Sequence, residues 1–153
     1  MQTDQDDDRF ARRTALAAEV GARLGIDEAA LGRLVETFYA RAREDDLLGP
    51  VFAVHVENWP SHEAKVQAFW SSVMLLSGRY RGQPMVAHAR LDVDARHFDR
   101  WLALFEATAR EMLAPVGADA LVERAKRIAQ SLELGIATAR GTVLAPGRRL
   151  DPP

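Results

Sequence analysis

The stretch "GRYRGQPMVAHARL", Gly78 to Leu91, interrupts a chain that otherwise reads as one helix after another. Two glycines and a proline break the pattern, and His88 follows Pro84 by four residues. On both sides of the break, apolar residues recur at i, i+3, i+4 and i+7, the period of a helix that buries one face. A loop histidine taken alone is ordinarily a solvated surface group. Whether this one has a task depends on what the flanking helices bring to it.

Upstream, Val66, Phe69, Trp70 and Val73 form the stripe of a helix that starts near Pro60, a residue favoured at the first helical position, and runs towards Ser77. Before it, Leu31, Leu34, Val35, Phe38, Tyr39 and Ala42 mark a helix capped by Asp27 and ended by "DDLLGPVFAV", because Gly49-Pro50 cannot continue it. Arg9 to Leu24 reads as a shorter helix stopped by Gly25. Residues 1–8 hold four aspartates and little to bury, and are expected to be disordered. Downstream, Met85 to about Arg90 forms a short helical piece. Asp92 or Asp94 caps the next long helix, whose stripe is Phe98, Trp101, Leu102, Phe105, Ala109 and Met112, until Pro115 and Gly117 end it. The last helix carries Leu121, Val122, Ala125, Ile128, Ala129, Leu132 and Ile136, and residues 142–153 read as a flexible tail. No β-type alternation is visible, so the expected fold class is all-α.

Composition bounds the function. A chain of 153 residues, 48% hydrophobic and 27% charged, fits one globular domain with a core of its own. A formal net charge of −2 argues against nucleic acid as the main partner. No apolar run is long enough to span a membrane, and the acidic start "MQTDQDDDRF" is unlike a secretory leader, so a cytoplasmic location is expected. Without cysteine there is no disulfide, thiolate metal site or cysteine nucleophile.

Four histidines remain as candidates for chemistry: His55, His62, His88 and His97. "HEAKV" at 62–66 opens like a zinc-protease helix, but Val66 stands where the second histidine must be. There is no inward-facing pair of Glu-x-x-His motifs for a di-iron site, no nucleophile elbow and no phosphate loop. His62 shares a helical stripe with Val66 and Phe69, Tyr39 sits beside Phe38 on an inner face, and Trp101 lies on another core stripe. Each alone reads as ordinary core packing. Together they are three donors brought by three helices into an interior of Phe52, Val66, Phe69, Trp70, Phe98 and Phe105. Burying them without acceptors costs about 1–3 kcal/mol each, and an apolar slot with converging donors describes a ligand pocket. His97 competes with His88 for any ligating role, whereas His55 falls in an inter-helix loop and is expected to be solvated.

The segments "LVETFYARAREDDLLGPVF", "NWPSHEAKVQAFWSSVMLLSGRYRGQPMVAH" and "HFDRWLALFEATA" closely resemble the group III truncated haemoglobins of bacteria, over about residues 28–140. The resemblance implies a truncated globin fold, a two-over-two helical sandwich around haem, in residues 28–141, with 1–27 as an N-terminal extension. It implies His88 as the proximal iron ligand, Phe52 packed on the haem plane, and Tyr39, His62 and Trp101 as the distal residues. Val66, Phe69, Trp70, Tyr80, Met85 and Phe98 complete the expected contacts to haem b.

The implied function is binding of O2, NO or CO opposite His88. Donors aimed at the bound ligand imply slow O2 release and a role in O2 or NO redox chemistry. A haem peroxidase and a haem-free helical interaction module are the alternatives. No reductase domain is fused, so a separate reductant is expected, and a monomer or weak dimer is the expected assembly.

Overall fold

The computed structural model describes residues 2–153. Among them are seven helices: α1 (Gln2–Leu24), α2 (Glu28–Glu44), α3 (Gly49–His55), α4 (Trp59–Met74), α5 (Pro84–His88), α6 (Ala95–Met112) and α7 (Pro115–Ala139). None is long and apolar enough to cross a membrane. Helix α2 packs against α4 and α6, and α6 packs against α7, so the pair α2–α4 meets the pair α6–α7 through α2 and α6. This is the expected all-α, two-over-two sandwich.

One ring ties the layers together. Phe105 of α6 is only 2% exposed and stacks between Trp101, at 4.9 Å and 8° between planes, and Trp70 of α4, at 5.1 Å and 23°. Phe38 of α2 meets it edge-on at 5.5 Å. Three helices therefore share one buried aromatic ring, in geometries that add to the gain from burial.

The caps follow their local chemistry. Asp27 accepts a hydrogen bond from Ala30 N–H at 2.7 Å, and Asn58 accepts one from Ser61 N–H at 3.0 Å. Of the two aspartates expected to cap α6, Asp94 does so, accepting from Arg96 N–H at 2.8 Å. His97 closes the reciprocal half of this capping box, its Nδ1 accepting from Asp94 N–H at 3.1 Å.

Several expectations from the sequence need correction. Gly49-Pro50 ends one helix but also opens another, α3, with the proline in its first turn, where its missing N–H costs nothing. His55 is accordingly the last residue of α3 and not a loop residue, although it is exposed as expected. Pro115 likewise opens α7, and Gly117 lies inside that helix, where a Cβ would collide with the Leu24 carbonyl at the end of α1. Helix α4 stops at Met74, short of Ser77, since Leu76 and Gly78 adopt left-handed backbone, with φ of 56° and 68°. The chain is there pinned back on α4 by Ser71–Ser77 and by Tyr80 N–H donating to Ser72 Oγ at 2.9 Å.

Residues 2–8, expected to be disordered, belong to α1. Asp4 lies in its first turn, where negative charge suits the helix dipole, and Asp8 pairs with Arg12 one turn on, at 2.7 Å. Met1 lies outside the described residues. The segment after residue 142, expected to be a flexible tail, folds back on α6 and α7. Leu150 is 5% exposed in a small second core with Val93, Ile136 and Ala137.

Two outcomes are expected. Phe105→Ala should cost about 3–5 kcal/mol in urea unfolding, the usual loss for a buried phenylalanine. Asp94 bears on acid stability: its hydrogen bonds to Arg96 hold its carboxyl down at about 2. A carboxyl depressed by folding stabilises the native state above its unfolded value of about 4, and that support is lost as pH falls from there towards 2. Asp94→Ala should cost about 1 kcal/mol near neutrality and lessen the pH dependence of the urea midpoint across that window.

Candidate functional site

A cavity of about 270 Å³ opens where α2 and α4 face α5, α6 and α7. Tyr39, Phe52, His62, Val66, Phe69, Trp70, Tyr80, His88, Phe98 and Trp101 line it, so ten of the residues singled out from the sequence converge on one space. Met85 does not line it. Its thioether lies over Gly135 of α7, in space that a Cβ at 135 would fill, and it seats α5 on α7 instead. The sequence reading missed Lys65, Leu91, Val93 and Leu132, which also line the cavity. Leu132 lay on a recognised stripe, but periodicity alone does not tell which stripe residues border a cavity. Leu91 and Val93 sit in a loop that carries no periodic signal.

Two histidines of this cavity differ in where their lone pairs point. His88 Nδ1 lies 2.6 Å from the carbonyl of Pro84. A carbonyl only accepts, so Nδ1 carries the proton and neutral His88 has its lone pair on Nε2. His97 is the reverse. Its Nδ1 accepts from Asp94 N–H, which commits the lone pair to the helix cap and leaves the proton on Nε2. By tautomer alone, His88 offers a metal its Nε2 and His97 does not.

On the α2–α4 side, Tyr39 stands edge-on to His62 at 5.1 Å and to Phe52 at 5.4 Å. Trp59 closes the back of this cluster, 5.4 Å from Tyr39 and 5.6 Å from His62, with the Arg43 guanidinium over its face at 4.4 Å. Burial first, and the Glu63 carboxylate second, push the Tyr39 phenol well above its usual range, so it remains a donor throughout the physiological pH range. Burial first, with the nearby Lys65 ammonium adding to it, holds His62 below its usual value and favours the neutral ring. Its Nε2 is buried without a protein partner, the only such side-chain atom among the described residues. Trp101, expected to be a buried donor like Tyr39, is only partly buried and stacks on Phe105 where it borders the cavity.

These features suit an iron porphyrin. No group of three or more acidic or histidine side chains among the described residues could hold a bare metal ion. The cavity offers instead the His88 imidazole with its Nε2 lone pair free, apolar walls, and one buried polar atom, His62 Nε2, with no partner from the protein. A macrocycle that brings its own four nitrogens needs one such imidazole. The hydrogen bond from Nδ1–H to a carbonyl is the usual outer contact that orients a ligating histidine.

Comparison with known proteins agrees. The family profile described as bacterial-like globin matches residues 22–133. The group 3 truncated haemoglobin of Campylobacter jejuni is 32% identical over 113 residues, which cover 71% of this chain and 89% of that protein. The crystal structure of the group III truncated haemoglobin from Campylobacter jejuni superposes with a TM-score of 0.66 at 31% identity, over 70% of this chain and 88% of the other. The fold, the cavity and these likenesses converge: the chain belongs to the bacterial-like globins, as a haem-binding truncated haemoglobin of group III.

Proposed function

We propose that this globin binds O2 with high affinity on haem b ligated by His88 Nε2, that NO and CO compete for the same place, and that its role is redox chemistry on the held ligand more than O2 delivery. The observation that carries the reading is the buried, unpartnered Nε2 of His62 beside Tyr39 in the cavity that also holds the free nitrogen of His88. When bound, with His88 holding it, the haem would supply a ferrous iron able to take up a diatomic ligand.

The protein's part is to bind, orient and donate. Pro84 holds the His88 ring by Nδ1, and Phe52, Phe69 and Phe98 line the walls against a planar apolar group. Tyr39 O–H and Trp101 N–H serve as donors to the ligand's outer oxygen, and a bond of this charge-assisted type is worth about 1.5–3 kcal/mol. His62, held neutral by burial, can donate through Nε2 or move aside to admit the ligand. Because the phenol resists ionisation, this donor set does not switch off at mildly alkaline pH. Slow release suits a protein that keeps O2 for reaction with NO, and each cycle then requires an electron from a separate reductant.

Purified protein should show a strong Soret band in its ferric, reduced and CO-bound forms. His88→Ala should abolish or alter it, while His97→Ala should leave the reduced spectrum as in the parent. Retention of the parent spectrum by His88→Ala would overturn the assignment of the axial ligand. In stopped-flow displacement of O2 by CO, Tyr39→Phe should speed O2 release by about 10- to 100-fold, the range that one lost charge-assisted bond corresponds to. An unchanged rate would remove Tyr39 from the donor set.

A further inference from the structure

We infer that the C-terminal segment, through Leu150 and its clasp on Arg140, positions the axial His88, so that the last residues of the chain tune the iron–histidine bond. The inference rests on haem ligation by His88.

Helix α5 has five residues, no side-chain N-cap and no buried residue. A helix so short is not stable by itself in water, so the orientation of His88 is imposed by what surrounds it. One support is the seat of Met85 on Gly135 of α7. The other is the segment from Ala89 to Asp94, the link from His88 to α6. Leu91 N–H donates to the His88 carbonyl at 3.1 Å, and both Leu91 and Val93 line the haem cavity.

The C-terminal segment holds that link from behind. Arg140, just past α7, donates to the carbonyls of Leu91 at 2.9 Å and Val93 at 2.8 Å, and through its other terminal nitrogen to the carbonyl of Asp151 at 3.2 Å. Leu150 is buried against Val93 and Ile136, with Leu91 and Phe98 packed on the same cluster. Its carbonyl accepts from Ala95 N–H at 2.9 Å, and its N–H donates to Glu133 Oε1 at 2.8 Å. Arg149 locks the segment down by pairing with Glu133 at 2.9 Å and Asp99 at 2.8 Å. The wall of the haem cavity formed by Leu91, Val93 and Phe98 thus has Leu150 as its outer layer. Arg140, Arg149 and Leu150 lie beyond the matched span of the family profile, which ends at residue 133. Leu150 is a positioning residue, acting on the iron through Val93, Leu91 and the His88 main chain.

The experiment compares the full-length holoprotein with Leu150→Ala, Leu150→Ile, Arg140→Gln and Val143→Ala. Val143 lies in the same segment but is 87% exposed, so its variant serves as the control. The readouts are the iron–histidine stretching band of the unliganded ferrous protein by resonance Raman, and haem transfer to excess apomyoglobin. Leu150→Ala and Arg140→Gln should shift or broaden the band and speed haem loss by about tenfold or more, as for outer contacts of metal ligands in general. Leu150→Ile should restore both, and Val143→Ala should match the parent. A Leu150→Ala protein with a lower unfolding temperature but the parent band would overturn the inference, since Leu150 would then only stabilise the fold. Should that variant fail to fold, Arg140→Gln decides on the same band. A parent that takes up no haem would overturn the haem reading and this inference with it, whereas a haem-loaded parent with unresponsive variants would overturn this inference alone.

Discussion

A helix of five residues does not hold its own place in water, yet α5 carries His88, whose Nδ1–H is tied to the chain and whose Nε2 is left free at the cavity. Much of the structure around the cavity answers that constraint. The break from Leu76 to Gln83 frees α5 from α4, Met85 rests on α7 at a glycine, and Arg140 clasps the following segment by two carbonyls. The Pro84 carbonyl then fixes the imidazole by its remaining N–H. A side chain held so entirely by its surroundings can be reoriented by small changes in them. A histidine in the middle of a long helix has less freedom of this kind.

The other side of the cavity is built on the opposite plan. Tyr39 and His62 stand on two long helices packed directly on each other, and their rings are wedged among Phe52 and Trp59. Rigid packing there fixes donors where no protein acceptor meets His62 Nε2, a destabilising arrangement unless a ligand completes it. The same burial that costs stability also sets the protonation states, keeping the phenol protonated and the imidazole neutral. The layers are joined at Phe105, between Trp70 and Trp101, so the core and the cavity share walls.

The long helices were legible because their apolar stripes recur at the helical period. Leu31 to Ala42 on α2 and Leu121 to Ile136 on α7 are the clearest cases. Pro60 was read as the start of a helix, but Pro50 and Pro115 only as terminators. Pro50 and Pro115 instead start helices, because the first turn does not need the N–H that proline lacks. The aspartates at the N-terminus were read as disorder for want of apolar residues, whereas helix-dipole and i,i+4 charge effects leave no apolar trace in the pattern.

Residue type and spacing by themselves determined the all-helical fold, the break that sets His88 apart, and the set of polar side chains facing inward. They are properties of local period and of proline and glycine geometry, which act within a few residues. What separates His88 from His97 is also local, since the Pro84 carbonyl accepts from Nδ1–H of one ring four residues on, whereas Asp94 N–H donates to Nδ1 of the other three residues on. Tertiary structure alone decided that Met85 turns from the cavity to α7, and that Leu150, read as part of a loose tail, closes a second core behind the cavity wall. Those outcomes rest on contacts between residues far apart in the chain, which no local pattern encodes.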